Sequence, residues 1–116
     1  MKKRKRVRKF SRKADKRRAM LFSVARALFQ KGKIETTEAK ARAISSFAER
    51  LLTKAKRGDL SAHRKLREHF QGSLVKKIME EIIPLYRERK GGYTRITKLG
   101  PQESDGRRMA ILELIK

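Results

Sequence analysis

Cysteine is absent from this sequence, and acidic residues and long apolar runs are scarce. Without cysteine the chain cannot form disulfide bonds or thiolate metal sites. Its longest apolar runs are only a few residues, whereas a membrane-spanning helix needs about 20 apolar residues. The basic first residues are not followed by the apolar core of a secretory signal. These absences argue against a membrane protein and predict residence in the cytoplasm.

Lysine and arginine are abundant: they number 34 against 12 acidic residues, and the net charge is +22 on 116 residues. A compact chain with so much charge of one sign repels itself. A small domain needs a net charge of only about 2–8 for solubility. A polyanionic partner explains the excess better, because phosphate contacts neutralise it and release condensed counterions. We therefore interpret the chain as a nucleic-acid-binding protein.

The basic residues are concentrated at the beginning of the chain. Residues 1–18 contain twelve Lys or Arg and one Asp, which is half of the net charge. The run from Lys2 to Arg6 cannot bury apolar area, so we expect residues 1–13 to be a basic extension that is disordered alone and orders on a polyanion. A chain of this length has room for one small core. We expect residues 14–116 to be a single domain.

Helical periodicity dominates the first part of the domain. Apolar spacing predicts helices over about residues 14–31, 38–57, 60–69 and 74–83. Thr37 and Asp59 are predicted N-caps, Gly32 and Gly58 are predicted stops, and Pro84 is expected to end the fourth helix. The first helix is apolar on two sides. Its second apolar face, formed by Phe22, Ala25 and Phe29, is either core or an interface, and we favour core.

The remaining segments predict strands at residues 33–36, 93–99 and 107–115, with a loop at residues 100–106. The fold class is therefore α+β, with three to four helices packed on a small three-stranded sheet and a basic N-terminal extension.

The segment Gly91-Gly92-Tyr93-Thr94-Arg95-Ile96 supports two interpretations. Alternation in a strand places Tyr93 and Arg95 on one face, where the ring stacks on a base and the guanidinium pairs with phosphate. Alternatively the segment enters a hairpin, with Tyr93 in the core and Arg95 in solvent. The spacing does not decide between these two.

Catalytic and metal-binding constellations do not emerge from the remaining polar residues. His63 and His69 are six residues apart, which does not place them on one helix face, and no cysteine completes a ligand set. Glu80 and Glu81 point about 100° apart on a helix among basic neighbours. We expect no enzyme activity, no cofactor, no metal and no small-molecule substrate.

Four motifs in order resemble one family. They are Arg17-Arg18-Ala19-Met20, Ile34-Glu35-Thr36-Thr37 followed by Lys40, Gly91-Gly92-Tyr93-Thr94-Arg95-Ile96, and Met109-Ala110-Ile111-Leu112-Glu113-Leu114. Together they resemble the L-seventeen family of bacterial large-subunit ribosomal proteins, over nearly the whole chain.

The resemblance implies a non-catalytic protein of the large ribosomal subunit, in the cytoplasm. Its partners would be large-subunit rRNA and neighbouring ribosomal proteins near the polypeptide exit region. The resemblance also implies rRNA contacts in this chain, and we add Lys3 and Arg6 because they lie in the same basic run. The full set is Lys3, Arg4, Lys5, Arg6, Arg8, Arg12, Arg17, Arg18, Thr36, Thr37, Lys40, Tyr93 and Arg95. The alternative from another class is an architectural, nucleoid-type DNA-binding protein, although its wedge residues would be limited to Val7 and Phe10.

Overall fold

The computed structural model describes the backbone of residues 2–101 and 106–115, and the side chains of residues 13–101 and 106–115. The helices are α1 (Lys2–Lys31), α2 (Glu38–Ala55), α3 (Leu60–His69), α4 (Gly72–Lys77) and α5 (Ile83–Leu85), with a π-helical segment at Ile78–Ile82 between the last two. The strands are β1 (Lys33–Thr37), β2 (Thr94–Pro101) and β3 (Arg108–Leu114). The predicted α+β class, with helices packed on a three-stranded sheet, is confirmed.

Helix α1 begins at Lys2, so the predicted start near Ala14 is wrong. Lysine and arginine are good helix formers, and no Gly or Pro interrupts the segment. A lack of apolar residues argues against packing but not against a helical backbone, and the structure gives residues 2–13 this backbone in place of the expected disorder. Residues 13–19 are all exposed, and burial begins at Met20. The division into an extension (1–13) and a domain (14–116) stays a prediction.

The predicted end of α1 and the predicted starts of α2 and α3 are confirmed, whereas α2 ends at Ala55, two residues before its predicted end. Helix α1 ends at Lys31 because Gly32 adopts a φ of +84°, which favours glycine. Thr37 caps α2, and its side chain accepts a hydrogen bond from the Lys40 N–H at 3.3 Å. Asp59 caps α3 in the same way, through the Ala62 N–H at 2.8 Å. These caps fix where each helix leaves the preceding segment.

The helix around Pro84 differs from the prediction at both ends. Helix α4 begins at Gly72, two residues before the predicted start, and Pro84 lies within α5 and does not end the helix. Proline has no N–H to donate to the carbonyl four residues back, and its ring crowds that carbonyl. The structure accommodates this with a π turn, in which the Ile83 N–H bonds to the Ile78 carbonyl. The helical stretch therefore continues to Leu85.

The sheet is antiparallel with strand order β1-β3-β2. Ile34, Leu112 and Ile96 form one row across it, and this inner face packs against α1 and α2. Lys33, Glu113 and Arg95 form a row on the opposite face. The sheet thus has one face in the core and one face of charged and partly exposed residues.

The second apolar face of α1 belongs to the core, as favoured from the sequence. Phe22, Ala25 and Phe29 are all buried, and Phe29 packs edge-on against Phe70 with ring centroids 5.9 Å apart. The side of α2 that faces the core is buried as well, and its buried residues are Ala41, Ile44, Ala48, Leu52 and Ala55. Helix α1 therefore contributes two functions: its second half is core, and its first half carries cations.

Candidate nucleic-acid interface

Exposed cations on α1 form the first group of predicted RNA contacts. Arg17 and Arg18 are exposed, as are the neighbouring Lys13 and Lys16. The other predicted contacts on this helix lie on its helical backbone, but their side chains are outside the described residues; these are Lys3, Arg4, Lys5, Arg6, Arg8 and Arg12. Guanidinium forks bind phosphate oxygens bidentately, and lysine acts as a mobile point charge. The described part of the helix thus offers a row of accessible phosphate ligands.

The second group lies at the junction of β1 and α2. Thr36 and Thr37 are partly buried, and Lys40 is exposed in the first turn of α2. The Thr37 hydroxyl oxygen accepts the helix-cap hydrogen bond, and its O–H remains a donor for a ligand beside the Lys40 ammonium. The positive end of the α2 dipole points the same way, which favours an anion. Glu38 in the same turn opposes it and is 3.9 Å from the Lys98 Nζ.

Tyr93 and Arg95 separate in the structure, which agrees with the hairpin interpretation and not with a shared face. Strand β2 begins at Thr94, and the Tyr93 ring is completely buried. It cannot stack on a base in this conformation, which removes the reason for placing it among the RNA contacts. Arg95 remains exposed on the outer face of the sheet and lies 3.7 Å from a Glu113 oxygen. An exposed pair of this kind is weak, so phosphate competes readily for the guanidinium.

Long-range contacts hold the loop before β2, and no local sequence pattern indicates them. Glu49 on α2 accepts a hydrogen bond from the Tyr93 N–H at 2.8 Å, and Ser45 bonds to Thr94 at 2.6 Å. The Lys56 ammonium donates to the Tyr93 hydroxyl at 3.1 Å and to the Arg89 carbonyl. Glycine at position 92, with a φ of +67°, makes the turn.

This loop displays a further cluster of cations. Arg87, Arg89 and Lys90 are all exposed. The Tyr93 hydroxyl donates to the Arg89 carbonyl at 3.1 Å and fixes the loop backbone. The Gly-Gly-Tyr-Thr segment therefore positions neighbouring cations instead of contacting RNA through its own ring.

Tyr86 packs beside Tyr93, with ring centroids 4.9 Å apart. Its hydroxyl donates to the Ile115 carbonyl at 2.5 Å. Burial raises the pKa of the Tyr86 phenol above its usual value of 10.0, and the nearby Arg89 charge partly offsets this rise. The phenol therefore stays neutral and keeps its hydrogen bond at physiological pH.

The predicted contacts do not converge on one cluster. Arg95 and Lys33 both lie opposite Glu113, one on each side of β3. Thr37 lies four residues after Lys33 in β1, which separates these two residues by about 13 Å along the strand. Arg18 precedes the end of α1 by thirteen residues, or about 20 Å. Several separate contacts over an extended surface suit a large polyanion and do not suit a small ligand.

In the part of the chain that the structure describes, no three His, Asp or Glu side chains are grouped as metal ligands. None of the described helices combines the length and apolar character that crossing a bilayer requires.

Fold and surface together define a small, strongly basic α+β domain preceded by a long basic helix, which is typical of nucleic-acid-binding proteins. The chain belongs to the ribosomal protein L17 family, whose match covers residues 20–115. The resemblance of the four motifs to this family is thereby confirmed.

Several similar proteins carry the description large ribosomal subunit protein bL17. One from Finegoldia magna is 47% identical over 110 residues, with 94% of this chain and 84% of that protein covered. One from a Thermoanaerobacter species is 46% identical over 109 residues, with coverage of 93% and 97%. One from Clostridium botulinum is 47% identical over 109 residues, with coverage of 93% and 96%. These relatives favour the ribosomal interpretation over the nucleoid one.

Proposed function

We propose that this protein is a structural, non-catalytic constituent of the large ribosomal subunit in the cytoplasm, where it binds and stabilises rRNA. The observation that carries the proposal is the placement of cations on the structure of a ribosomal-family protein. Exposed cations lie on α1 within residues 13–18 and recur at Lys40, Arg95 and the loop at residues 87–90. Such separate contacts bind one folded RNA at several points.

Helix α1 would serve as the penetrating element. Its backbone is helical from Lys2, and at about 100° per residue its basic positions fall on every side of the helix axis. A helix lying on a flat RNA surface needs cations on one side only. Cations on all sides suit a channel between RNA helices, where phosphates surround the segment. We infer that residues 2–18 enter the RNA and that the domain docks on its surface.

Sedimentation tests the proposed function directly. A tagged copy of the full chain, expressed in the organism from which the sequence comes, should migrate with large subunits through a sucrose gradient after a high-salt wash. The physical reason is that many simultaneous phosphate contacts make dissociation slow even when each one is screened. Recovery of the protein only at the top of the gradient would contradict the proposal.

Crosslinking in cells, followed by sequencing of the attached nucleic acid, gives an independent readout. We expect mainly large-subunit rRNA, whereas mainly chromosomal fragments would support a nucleoid-type protein. Protein–protein crosslinking within the purified subunit tests the neighbours in the same sample. We propose that these are ribosomal proteins near the polypeptide exit region.

A further inference from the structure

A groove opens between α1, α2 and α3, and Arg18 is the one predicted RNA contact that lines it. Its volume is about 410 Å³, within the range of about 300–1,000 Å³ that is usual for ligand pockets. Apolar side chains from all three helices line it, including Leu21, Phe47 and Leu66. The groove is therefore large enough for one nucleotide-sized group.

Three aromatic rings meet at this groove. Phe22 is 8% exposed, and the His69 ring stacks on it with a centroid distance of 3.7 Å and an angle of 18°. Phe47 contacts the Phe22 ring edge-on, with ring centroids 4.8 Å apart and an angle of 87° between the ring planes. The His69 side chain keeps 34% of its surface exposed, and Phe47 is only partly buried. Exposed ring faces of this kind are what unstacked bases pack against.

Four cations border the groove: Arg18, Arg50, Lys54 and Lys65, all of them exposed. Among the described side chains, none of the four has a carboxylate within ion-pair distance, and Glu68 is the one carboxylate among the groove residues. The rim is therefore complementary to a phosphodiester, which needs several cations around an apolar base site.

We propose that this groove binds one unpaired nucleotide of the rRNA. Its base stacks on the exposed surface of Phe47 and His69, and its phosphates bind Arg50, Lys65 and their neighbours on the rim. The inference rests on the proposed function, since it takes RNA as the partner. A side chain from a neighbouring protein is the competing occupant, but it would use the rings and leave the cations without counter-charge.

Ultraviolet crosslinking locates the nucleotide. Large subunits carrying the full chain are irradiated, digested with trypsin and nuclease, and analysed by mass spectrometry. We expect a nucleotide attached to the peptide of residues 43–50, which carries Phe47, or to that of residues 68–76, which carries His69. Nucleotides found only on other peptides, or a protein crosslink at these rings, would overturn the inference.

A matched pair of double variants tests the rim. Arg50→Gln with Lys65→Gln removes two groove cations, and Arg42→Gln with Arg57→Gln removes two exposed cations that do not line the groove. Both pairs lose the same charge, so we expect the same fall in binding to unrelated RNA, about two- to fivefold at moderate salt. In assembled subunits, the wild-type protein should protect one unpaired rRNA base from a base-modifying reagent. Only the groove pair should lose this protection and make the base reactive again.

Phe47→Leu provides a third variant that keeps the rim charge. We expect it to restore reactivity at the same base, with an unchanged circular dichroism spectrum. Equal protection in all three variants would overturn the groove inference while the chain still sediments with large subunits. Absence of the wild-type chain from large subunits would overturn the proposed function as well, so the two failures are distinguishable.

Discussion

Tyr86 and Tyr93 show how single residues fix the surface that carries the cations. Both rings are about 1% exposed or less, yet each hydroxyl has a hydrogen-bond partner. Tyr86 reaches the Ile115 carbonyl and thereby ties the end of the helical stretch to the residue after β3. A buried hydroxyl without a partner costs about 1–3 kcal/mol, so these contacts define where the two segments must meet.

Tyr86 makes stability sensitive to alkaline pH. Because burial raises the pKa of its phenol, the folded state binds this proton more tightly than the unfolded state does. The contribution of the Tyr86 phenol to stability is complete below 10.0, the pKa in the unfolded chain, and is lost as the pH rises through the higher pKa of the folded protein. Tyr86→Phe should lower the free energy of unfolding by about 1 kcal/mol at pH 7, because the hydrogen bond is lost. Between pH 7 and a pH above 10, the free energy of unfolding should fall less for this variant than for the wild type.

Urea unfolding of both proteins at pH 7 and above pH 10 checks this expectation. Tyr93→Phe is the companion variant, because the chain has two tyrosines and this change leaves Tyr86 as the only phenol. Phenolate absorbance in that variant then reports Tyr86 alone. A titration midpoint at or below 10.0 would contradict the raised pKa.

At the scale of the elements, local signals specified some boundaries and not others. The caps at Thr37 and Asp59 and the glycine stop at Gly32 act within a few residues, so the sequence predicted them correctly. The burial of Tyr93 depends on Glu49 and Lys56, which lie 44 and 37 residues away. No local pattern encodes such partners, so the sequence alone does not determine whether Tyr93 lies in the core or on the surface.

Three other features differ from the sequence-based expectations or are absent from them, each for its own physical reason. The length of α1 was underestimated because apolar periodicity was used to detect helix, and residues 2–13 have almost none. The π turn before Pro84 was missed because the proline rule predicts where a regular helix fails and not how the backbone adapts. The groove at α1, α2 and α3 was missed since its lining comes from three separate helices.

Two glycines give opposite predictions for element boundaries. Gly32 has a φ of +84°, and its carbonyl accepts the Leu114 N–H at 2.9 Å, so it joins the end of α1 to β3. Gly32→Ala should destabilise the protein by about 1–2 kcal/mol, because a Cβ is strained in this conformation. Gly72 begins α4 without a positive φ and with open space around it. Gly72→Ala should therefore stabilise by about 0.4–1 kcal/mol.

Chemical denaturation of the two variants beside the wild type measures both effects. The substitutions add the same methyl group, so each serves as the control for the other. Changes of the same sign in both variants would show that the backbone conformation at position 32 is not the deciding factor.

At the scale of the whole molecule, packing and charge are divided along α1. The family match begins at residue 20, and burial begins at Met20 as well. The residues before Met20 carry half of the net charge. Residues 13–19 are all exposed, so the core of the domain does not include them. We therefore expect folding and anchoring to be separable, with the second half of α1 stabilising the domain and the first half binding a polyanion.

This separation predicts the salt dependence of RNA binding. Residues 1–12 contain eight Lys or Arg. Replacing these eight by glutamine keeps the chain length and removes only the charge. The slope of log K against log salt is about −0.7 per phosphate contact for single strands and about −0.9 for B-DNA. If most of the eight residues bind phosphate, the slope should become less steep by about 4–6.

Filter binding to large-subunit rRNA over a range of potassium chloride concentrations measures this slope. A chain that lacks residues 1–12 is the control: it should fold, as judged by circular dichroism and thermal unfolding, and give the same reduced slope as the glutamine variant. Agreement between the two would show that charge, and not the length of α1, determines anchoring, because the glutamine variant keeps every backbone position. A slope equal to that of the wild type in both chains would mean that the domain surface alone binds the RNA, with Lys40, Arg95 and the loop cations supplying the phosphate contacts.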